Sequence, residues 1–411
     1  MTESDGIVIV GGGLAGAKAA EGAREAGWEG PITLIGAEPY LPYERPPLTK
    51  GLLQGGDGPE AAFVHPDGWD AEHGVELRLG VRAASIDPDA HIVTTEGGRT
   101  VPFSKLVLAT GSAARRPELP GADLPEVFTV RTMSDSLALR ERLRPGARLA
   151  IVGSSWIGAE TAASARQRGA EVTLVGRGAE LLERVLGREI GAFFSRIHRE
   201  HGVDLRLGLD ATAIEGGDHV TGLRLSDGSL VEVDTVVLGI GADPSTGLAE
   251  AAGLAVDHGV LADERLATSH PDVLVAGDIA NAQHPVLGRR LRIEHWANAL
   301  EQGLAAGRNA AGADRPYELL PFFFSDQYDT GMEYSGWPVS FDEVVFRGSP
   351  DDGEFVAFQL ADGVVVGGAN VNVWDVNEHV QALLRAARPV RREVLADPGV
   401  DPADWVRLAV A

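Results

Sequence analysis

The sequence predicts an α/β chain with two strand–glycine turn–helix–strand units and a smaller α+β region at the end. Three observations predict it. Ile7 to Val10 is a β-branched run that ends in Gly11-x-Gly13-x-x-Gly16 and passes into a helical pattern. Leu149 onward, LAIVGSSWIG, repeats that order. From Pro321 the texture turns aromatic and turn-rich, with alternating strands to about Val371. A length of 411 residues leaves room for two or three domains with substantial cores.

The first run is apolar at every position, as in a parallel strand buried on both faces. Each glycine after it has a mechanical task. Gly11 allows the tight turn, Gly13 lets the backbone approach a pyrophosphate, and Gly16 lets helix pack on strand. The helix that runs to Gly27 would offer free N–H groups and its positive end to the anion. A second strand, Ile32–Ile35, leads to Glu38, where a carboxylate could accept from a ribose hydroxyl. An ordinary glycine-rich turn is the plainer alternative. Strand, helix, second strand and acid occur together here, so the stretch is read as a dinucleotide site.

Pro39 to Leu53 carries four prolines in its first nine residues, which bars a helix or strand interior until a helix begins near Leu48–Leu53. Such a loop would fix Arg45 and Lys50 in place. Arginine suits a pyrophosphate, and lysine offers a compact charge near a flavin or nicotinamide edge. Two ordinary surface cations are the alternative. Residues 75–108 read as short strands with a turn at Glu96-Gly97-Gly98, closing on KLVLATG, Lys105 to Gly111. The proline- and glycine-rich RRPELPGADLP that follows marks a domain crossing.

The second unit departs from the glycine motif at Ser155, whose small side chain hinders a pyrophosphate without blocking it. A helix, AETAASARQRG, and a strand, Glu171–Val175, follow. Thr235–Leu238 runs into GIGADP, and Val273–Ala276 into Gly277-Asp278. That places Asp278 at the carboxyl edge of a parallel sheet, where ligands of open α/β folds collect. The helix IEHWANALEQGLAAGRNAAG follows, and a last helix near Val376–Ala386 is expected to close the chain.

Composition excludes several classes of function. There is no cysteine, which rules out a redox-active disulfide, a thiolate nucleophile and cysteine-held iron–sulfur or zinc sites. A formal charge of −24 argues against general nucleic-acid binding. His198 and His201, three apart on a helix, lack converging carboxylates and read as a solvated face rather than a metal site. No run reaches the length of a membrane span, and MTESDG enters the first strand without a charged and apolar leader, so a cytoplasmic chain is expected.

From end to end the chain resembles the FAD-dependent ferredoxin reductases that feed oxygenase systems. The features that carry the resemblance are GGGLAG, YERPPLTK, LATG, GIGADP, VLVAGD, EHWANALEQG and FFFSDQYD, in family order. It implies a glutathione reductase-like architecture with two Rossmann-like domains: FAD-binding residues 1–112 and 244–320, NAD(P)-binding residues 113–243, and a C-terminal α+β domain, 321–411. It implies that Gly11, Gly13, Leu14, Ala15 and Gly16 line the FAD pyrophosphate. Glu38 would meet the adenosine ribose, although relatives often place an acid at the position of Ala37. Arg45 and Lys50 would lie along FAD, with Lys50 near flavin N5. Ala83, Ala109, Thr110, Gly111 and Arg131 would add contacts, Gly277 and Asp278 would meet the ribityl chain, and Glu294, His295 and Trp296 would reach the pyrimidine end. On the nicotinamide side it implies Gly153, Ser155, Trp156, Ile157, Gly158 and Gly241, with Glu160 approaching the nicotinamide and pairing with Lys50.

The implied chemistry is hydride transfer from NAD(P)H to flavin N5, then single-electron release to an iron–sulfur ferredoxin, by a monomer or homodimer that uses no metal, membrane or nucleic acid. The competing readings are an NAD(P)H oxidase and a redox-controlled binding protein of the apoptosis-inducing-factor kind. An acidic ferredoxin would need a local positive patch, either Arg289, Arg290 and Arg292 or Arg385, Arg388, Arg391 and Arg392. Relatives that prefer NADH carry an acid after the second strand of the second unit. Here VTLV runs into Gly176-Arg177-Gly178 instead, with Arg184 beyond. Arginine accommodates a 2′-phosphate, so activity with NADPH and no strong NADH preference are expected. The alternative is that Arg177 points to solvent and both nucleotides are tolerated.

Overall fold

A computed structural model describes residues 6–337 and 340–410, so Met1–Asp5, which open the stretch read for a leader, lie outside the described residues. The chain groups into two compact units. One comprises Met1–Pro46, Pro59–Ala113 and Ala242–Pro321; the other comprises Pro47–Gly58, Ala114–Gly241 and Phe322–Ala411.

The first unit is built on a five-stranded parallel sheet. Its order is Val273–Val275, Lys105–Leu108, Ile7–Val10, Ile32–Gly36, Val75–Leu79. All four residues of the central strand are buried, which explains why they show no alternation. The helices Leu14–Glu25 and Trp296–Ala310 pack together. Their contact depends on glycine: a Cβ on Gly307 would lie 2.0 Å from the Ala19 carbonyl oxygen, and one on Gly303 would lie 2.5 Å from that of Ala15. The expected short strands form an antiparallel meander, Ala83–Asp87, Ile92–Thr95 and Thr100–Pro102.

The second unit repeats the parallel sheet, in the order Asp204–Leu207, Glu171–Gly176, Arg148–Val152, Thr235–Leu238, Val127–Phe128. Its tail forms a five-stranded antiparallel sheet, Phe322–Gln327, Thr330–Gly336, Val364–Val371, Glu354–Ala361, Glu343–Ser349. The helix Asn377–Ala386 lies against it and buries Val380, Leu383 and Leu384. This helix does not close the chain as expected. Two more follow, Arg392–Ala396 and Trp405–Ala409, because Trp405 supplies a buried anchor, packed edge-on to Phe358 at 5.0 Å. A five-residue helix has no periodic signature to read. The stretch expected to start a helix near Leu48 is split into a 3₁₀ turn, Pro46–Thr49, and a helix, Gly51–Gln54.

His198 also departs from expectation. It is fully buried on the helix Arg188–Glu200, while His201 is exposed just beyond the helix end. Its apolar neighbours Phe194 and Ile197 draw that face inward, and Gln327 on the tail sheet satisfies the ring. Among the described residues no helix is long and apolar enough to cross a membrane, and no group of three or more His, Asp or Glu is placed to hold a metal.

Candidate functional site

In the first unit, three segments meet where the strand Ile7–Val10 ends. Gly11 has φ +129°, and a Cβ there would lie 2.0 Å from the Ala109 carbonyl oxygen, so no side chain fits. Gly16 is equally tight against the Gly11 oxygen, and Leu14 and Ala15 are buried behind the turn. Gly13 differs: a Cβ there would meet nothing within 4 Å. It precedes the twelve-residue helix Leu14–Glu25 in extended conformation, and no side chain caps the first N–H groups. Free N–H donors facing open space fit the pyrophosphate of an adenine dinucleotide.

Ala109, Thr110 and Gly111 continue the neighbouring strand, and Thr110 Oγ1 donates to the Ser245 carbonyl at 3.0 Å. The Gly277 position lies against Ala15, where a Cβ would be 3.0 Å from that of Ala15, and its N–H donates to Gln302 Oε1. Asp278 is the middle residue of the 3₁₀ turn Gly277–Ile279 that this contact places beside the glycine turn. Arg292 donates to the Asp278 carbonyl and pairs with Glu294, which also accepts from Ser112 at 3.4 Å. His295 precedes the helix that Trp296 starts. Burial pushes its imidazole down to about 4, with the Asp278 carboxylate opposing.

Glu38 accepts from the Tyr43 hydroxyl at 2.6 Å and lies 3.6 Å from Arg45, whose guanidinium also stands 5.5 Å from the Tyr43 ring centroid. Tyr43 bridges in backbone to Gly13, and burial pushes its phenol up to about 12. The proline loop is thereby pinned against the glycine turn by a residue that sequence reasoning passed over. The turn at Gly80 and Val81 hydrogen-bonds to Glu38 and Gly36, bringing Ala83 to the same edge. Of the residues assigned to FAD, Lys50 and Arg131 belong to the second unit; the Arg131 N–H donates to Asp135.

In the second unit, Ser155 has the same extended backbone as Gly13, at φ −90° and ψ −176° against −94° and −170°. Its hydroxyl donates to the Gly239 carbonyl at 3.0 Å, so the helix Trp156–Gln167 is left uncapped. Gly153 and Gly158 repeat the tight packing of Gly11 and Gly16. Ile157 is exposed, Trp156 packs edge-on to Phe323 at 4.8 Å, and the Gly241 carbonyl accepts from Arg115.

Glu160 lies on the first turns of that helix. Its buried carboxylate receives Lys50 Nζ at 3.1 Å, Thr49 Oγ1 at 2.5 Å and Ser325 Oγ at 2.7 Å. Burying a carboxyl group is costly unless its oxygens are hydrogen-bonded, and these three donors satisfy them. Lys50 also stands 5.3 Å from the Phe324 ring centroid, a cation–π contact. The Lys50–Glu160 pair was legible in the sequence; Thr49 and Ser325 were not, being two hydroxyls among many.

The position that follows VTLV is crowded. A Cβ on Gly176 would meet the Ser154 side chain at 2.5 Å. Two other carboxylates are nearby. Asp210 pairs with the exposed Arg177 at 2.5 Å, and Glu183 accepts from the N–H groups of Ala179 and Glu180 at 2.7 and 3.2 Å. Arg184 is exposed. In the two arginine clusters, Arg290 donates to the Ala262 and Asn281 carbonyls, Arg391 to that of Leu408, and Arg392 pairs with Glu343; Arg289, Arg385 and Arg388 are exposed.

Residues 5–303 match the model of the pyridine nucleotide-disulphide oxidoreductase family, and residues 322–405 match that of the reductase C-terminal family. The ferredoxin–NAD(+) reductase component of the anthranilate 1,2-dioxygenase system of Burkholderia cepacia is 39% identical, over 97% of this chain and 98% of its own length. Two solved structures superimpose with TM-scores of 0.93. The ferredoxin reductase for the CYP199A2 system from Rhodopseudomonas palustris is 35% identical, covering 97% of this chain and 99% of its own. Putidaredoxin reductase, in its covalent complex with putidaredoxin, is 33% identical, covering 98% of each.

Proposed function

The chain belongs to the pyridine nucleotide-disulphide oxidoreductase family, and within it we propose that the protein is an FAD-dependent ferredoxin reductase. It takes electrons from NAD(P)H and delivers them to an iron–sulfur ferredoxin that serves an oxygenase, working in the cytoplasm, where NAD(P)H is supplied. The observation that carries this reading is two uncapped glycine-turn helices in a chain without cysteine. With two nucleotide sites and no thiol, the chain has no redox-active disulfide of its own, so electrons leave the flavin directly for an external acceptor.

Bound FAD supplies hydride acceptance and the return of electrons one at a time. The chain's own residues bind and orient. Residues 1–112 and 244–320 hold the flavin, 113–243 the nicotinamide nucleotide, and 321–411 form the C-terminal domain. The N–H groups behind Gly13 meet the FAD pyrophosphate, Glu38 and Arg45 the adenosine side, Asp278 the ribityl chain, and Glu294, His295 and Trp296 the pyrimidine end. The turn Gly153–Gly158 takes the second pyrophosphate. Glu160 holds Lys50 as a fixed cation for the flavin edge. Both nicotinamides serve, because Asp210 balances the charge of Arg177 without replacing it.

Anaerobic stopped-flow mixing tests this. The yellow protein should bleach with NADH and with NADPH, then recover its colour far faster with a [2Fe–2S] ferredoxin than with oxygen. Recovery with oxygen as fast as with any ferredoxin, and peroxide equal to the NADH consumed, would overturn the reading in favour of an oxidase.

A further inference from the structure

The buried carboxylate of Glu160 ends a chain of polar groups that crosses the second unit. Ser325 and Gln327 alternate on the strand Phe322–Gln327 and are both buried. Gln327 Nε2 lies 3.2 Å from Ser325 Oγ, and Gln327 Oε1 lies 2.8 Å from His198 Nε2. His198 Nδ1 lies 3.3 Å from the Tyr328 hydroxyl, and the half-buried Tyr328 ring stacks on exposed His201 at 3.7 Å.

The direction of every proton in this chain follows from the acceptor at its end. Ser325 has one proton and gives it to Glu160, so its oxygen must accept from Gln327. Only the amide nitrogen of Gln327 can donate, which turns its oxygen to His198. The His198 ring then carries its proton on Nε2, and its bare Nδ1 accepts from Tyr328. Donors aligned this way polarise one another toward the carboxylate. Reversing any member leaves two acceptors or two donors face to face in a buried place. Burial agrees with this arrangement by keeping His198 uncharged, pushed down to about 4, and by raising the Tyr328 phenol.

We propose that Ser325, Gln327 and His198 are positioning residues whose one-way hydrogen-bond chain fixes the Glu160 carboxyl group in a single orientation, and through it holds Lys50 in place. This rests on the reading of Lys50 and Glu160 as the pair at the flavin edge. The tail strand and the helix of His198 thus act on the nucleotide half of the unit through one carboxylate. The charged or titratable groups that face the chain are Lys50 at one end, and Tyr328, His201 and the Arg166 charge felt by Tyr328 at the other.

The test is infrared spectroscopy of the oxidised holoenzyme at pH 7 with carboxyl-labelled glutamate, assigning the Glu160 carboxylate band by its loss in Glu160→Gln. Ser325→Ala should shift the Glu160 carboxylate band from its position in the unaltered protein, because the Ser325 hydrogen bond to that carboxylate is lost. Ser325→Thr, which keeps the hydroxyl, should restore the original band position. His198→Phe should move the band in the same direction by a smaller step, although it touches neither Glu160 nor Lys50. Flavin reduction by NADH should slow in the same order, in kcat rather than KM. An unmoved band in both Ser325→Ala and His198→Phe overturns the proposal. A moved band with unchanged flavin reduction upholds the chain and removes Lys50 and Glu160 from the flavin edge.

Discussion

His198 carries a consequence for stability. Burial pushes its imidazole down to about 4, against an ordinary value of 6.5. Between those values the unfolded chain takes up a proton that the folded one refuses, so stability falls as pH falls through that window. Glu126 acts lower. Burial opposes its charge, but His219, the Val220 N–H and Arg142 outweigh burial and hold the carboxyl down at about 2. Its contribution is complete above 4.5 and drains away toward pH 2. Urea unfolding should therefore show a midpoint that declines from pH 7 to 5, with a shallower decline in His198→Phe. Glu126→Gln should cost about 1–3 kcal/mol at pH 7 and flatten the loss below pH 4.5. Asp210 tunes a different property. Asp210→Asn frees Arg177 and should lower the KM for NADPH by roughly twofold to fivefold, the range of an exposed ion pair, with little change for NADH. Arg177→Glu should raise the NADPH value far more than the NADH one.

The two glycine turns make separable predictions. Gly13→Ala adds a methyl group to open space, so the protein should fold as before and lose much of its FAD, read by flavin release on dilution. Gly11→Ala drives a methyl group into the Ala109 carbonyl at positive φ and should not yield folded protein. In the second unit, Ser154 and Gly176 are a matched pair. Gly176→Glu alone meets the Ser154 side chain and should destabilise by about 1–3 kcal/mol. Combined with Ser154→Gly the acid should be accepted, and the kcat/KM ratio should swing toward NADH by roughly tenfold or more, the effect of a carboxylate against a 2′-phosphate.

Over the whole molecule, a charge of −24 opposes encounter with an acidic ferredoxin, so docking depends on a local positive patch acting within a Debye length of about 8 Å. Arg290, Arg391 and Arg392 are engaged with carbonyls or Glu343, which makes Arg289 and Arg388 the informative exposed positions. Reversal to Glu at the docking patch should slow ferredoxin reduction and flatten its salt dependence while sparing turnover with ferricyanide. Equal losses with both acceptors would place the damage in folding or flavin binding instead.

The local signals were enough for the fold class and for the place of the two glycine turns. Glycine at positions where backbone crowds backbone, unbroken apolar strands and the total absence of cysteine are properties of short stretches or of composition, and each reads directly from the sequence. The pairing of Lys50 with Glu160, 110 positions apart, was legible through the resemblance. What required the tertiary structure was every arrangement in which an unremarkable residue gains its role from a distant partner. Ser154 crowds a side chain at Gly176 only because the turn after one strand abuts the end of its neighbour. Tyr43 joins Glu38, Arg45 and Gly13 only because a proline loop folds back. His198 changes from a solvated to a buried residue because a tail strand lies over it, and Ser325 meets Glu160 for the same reason. Hydrogen bonds and steric contacts act over a few ångströms, and the chain brings such pairs within that reach only after the sheets have formed.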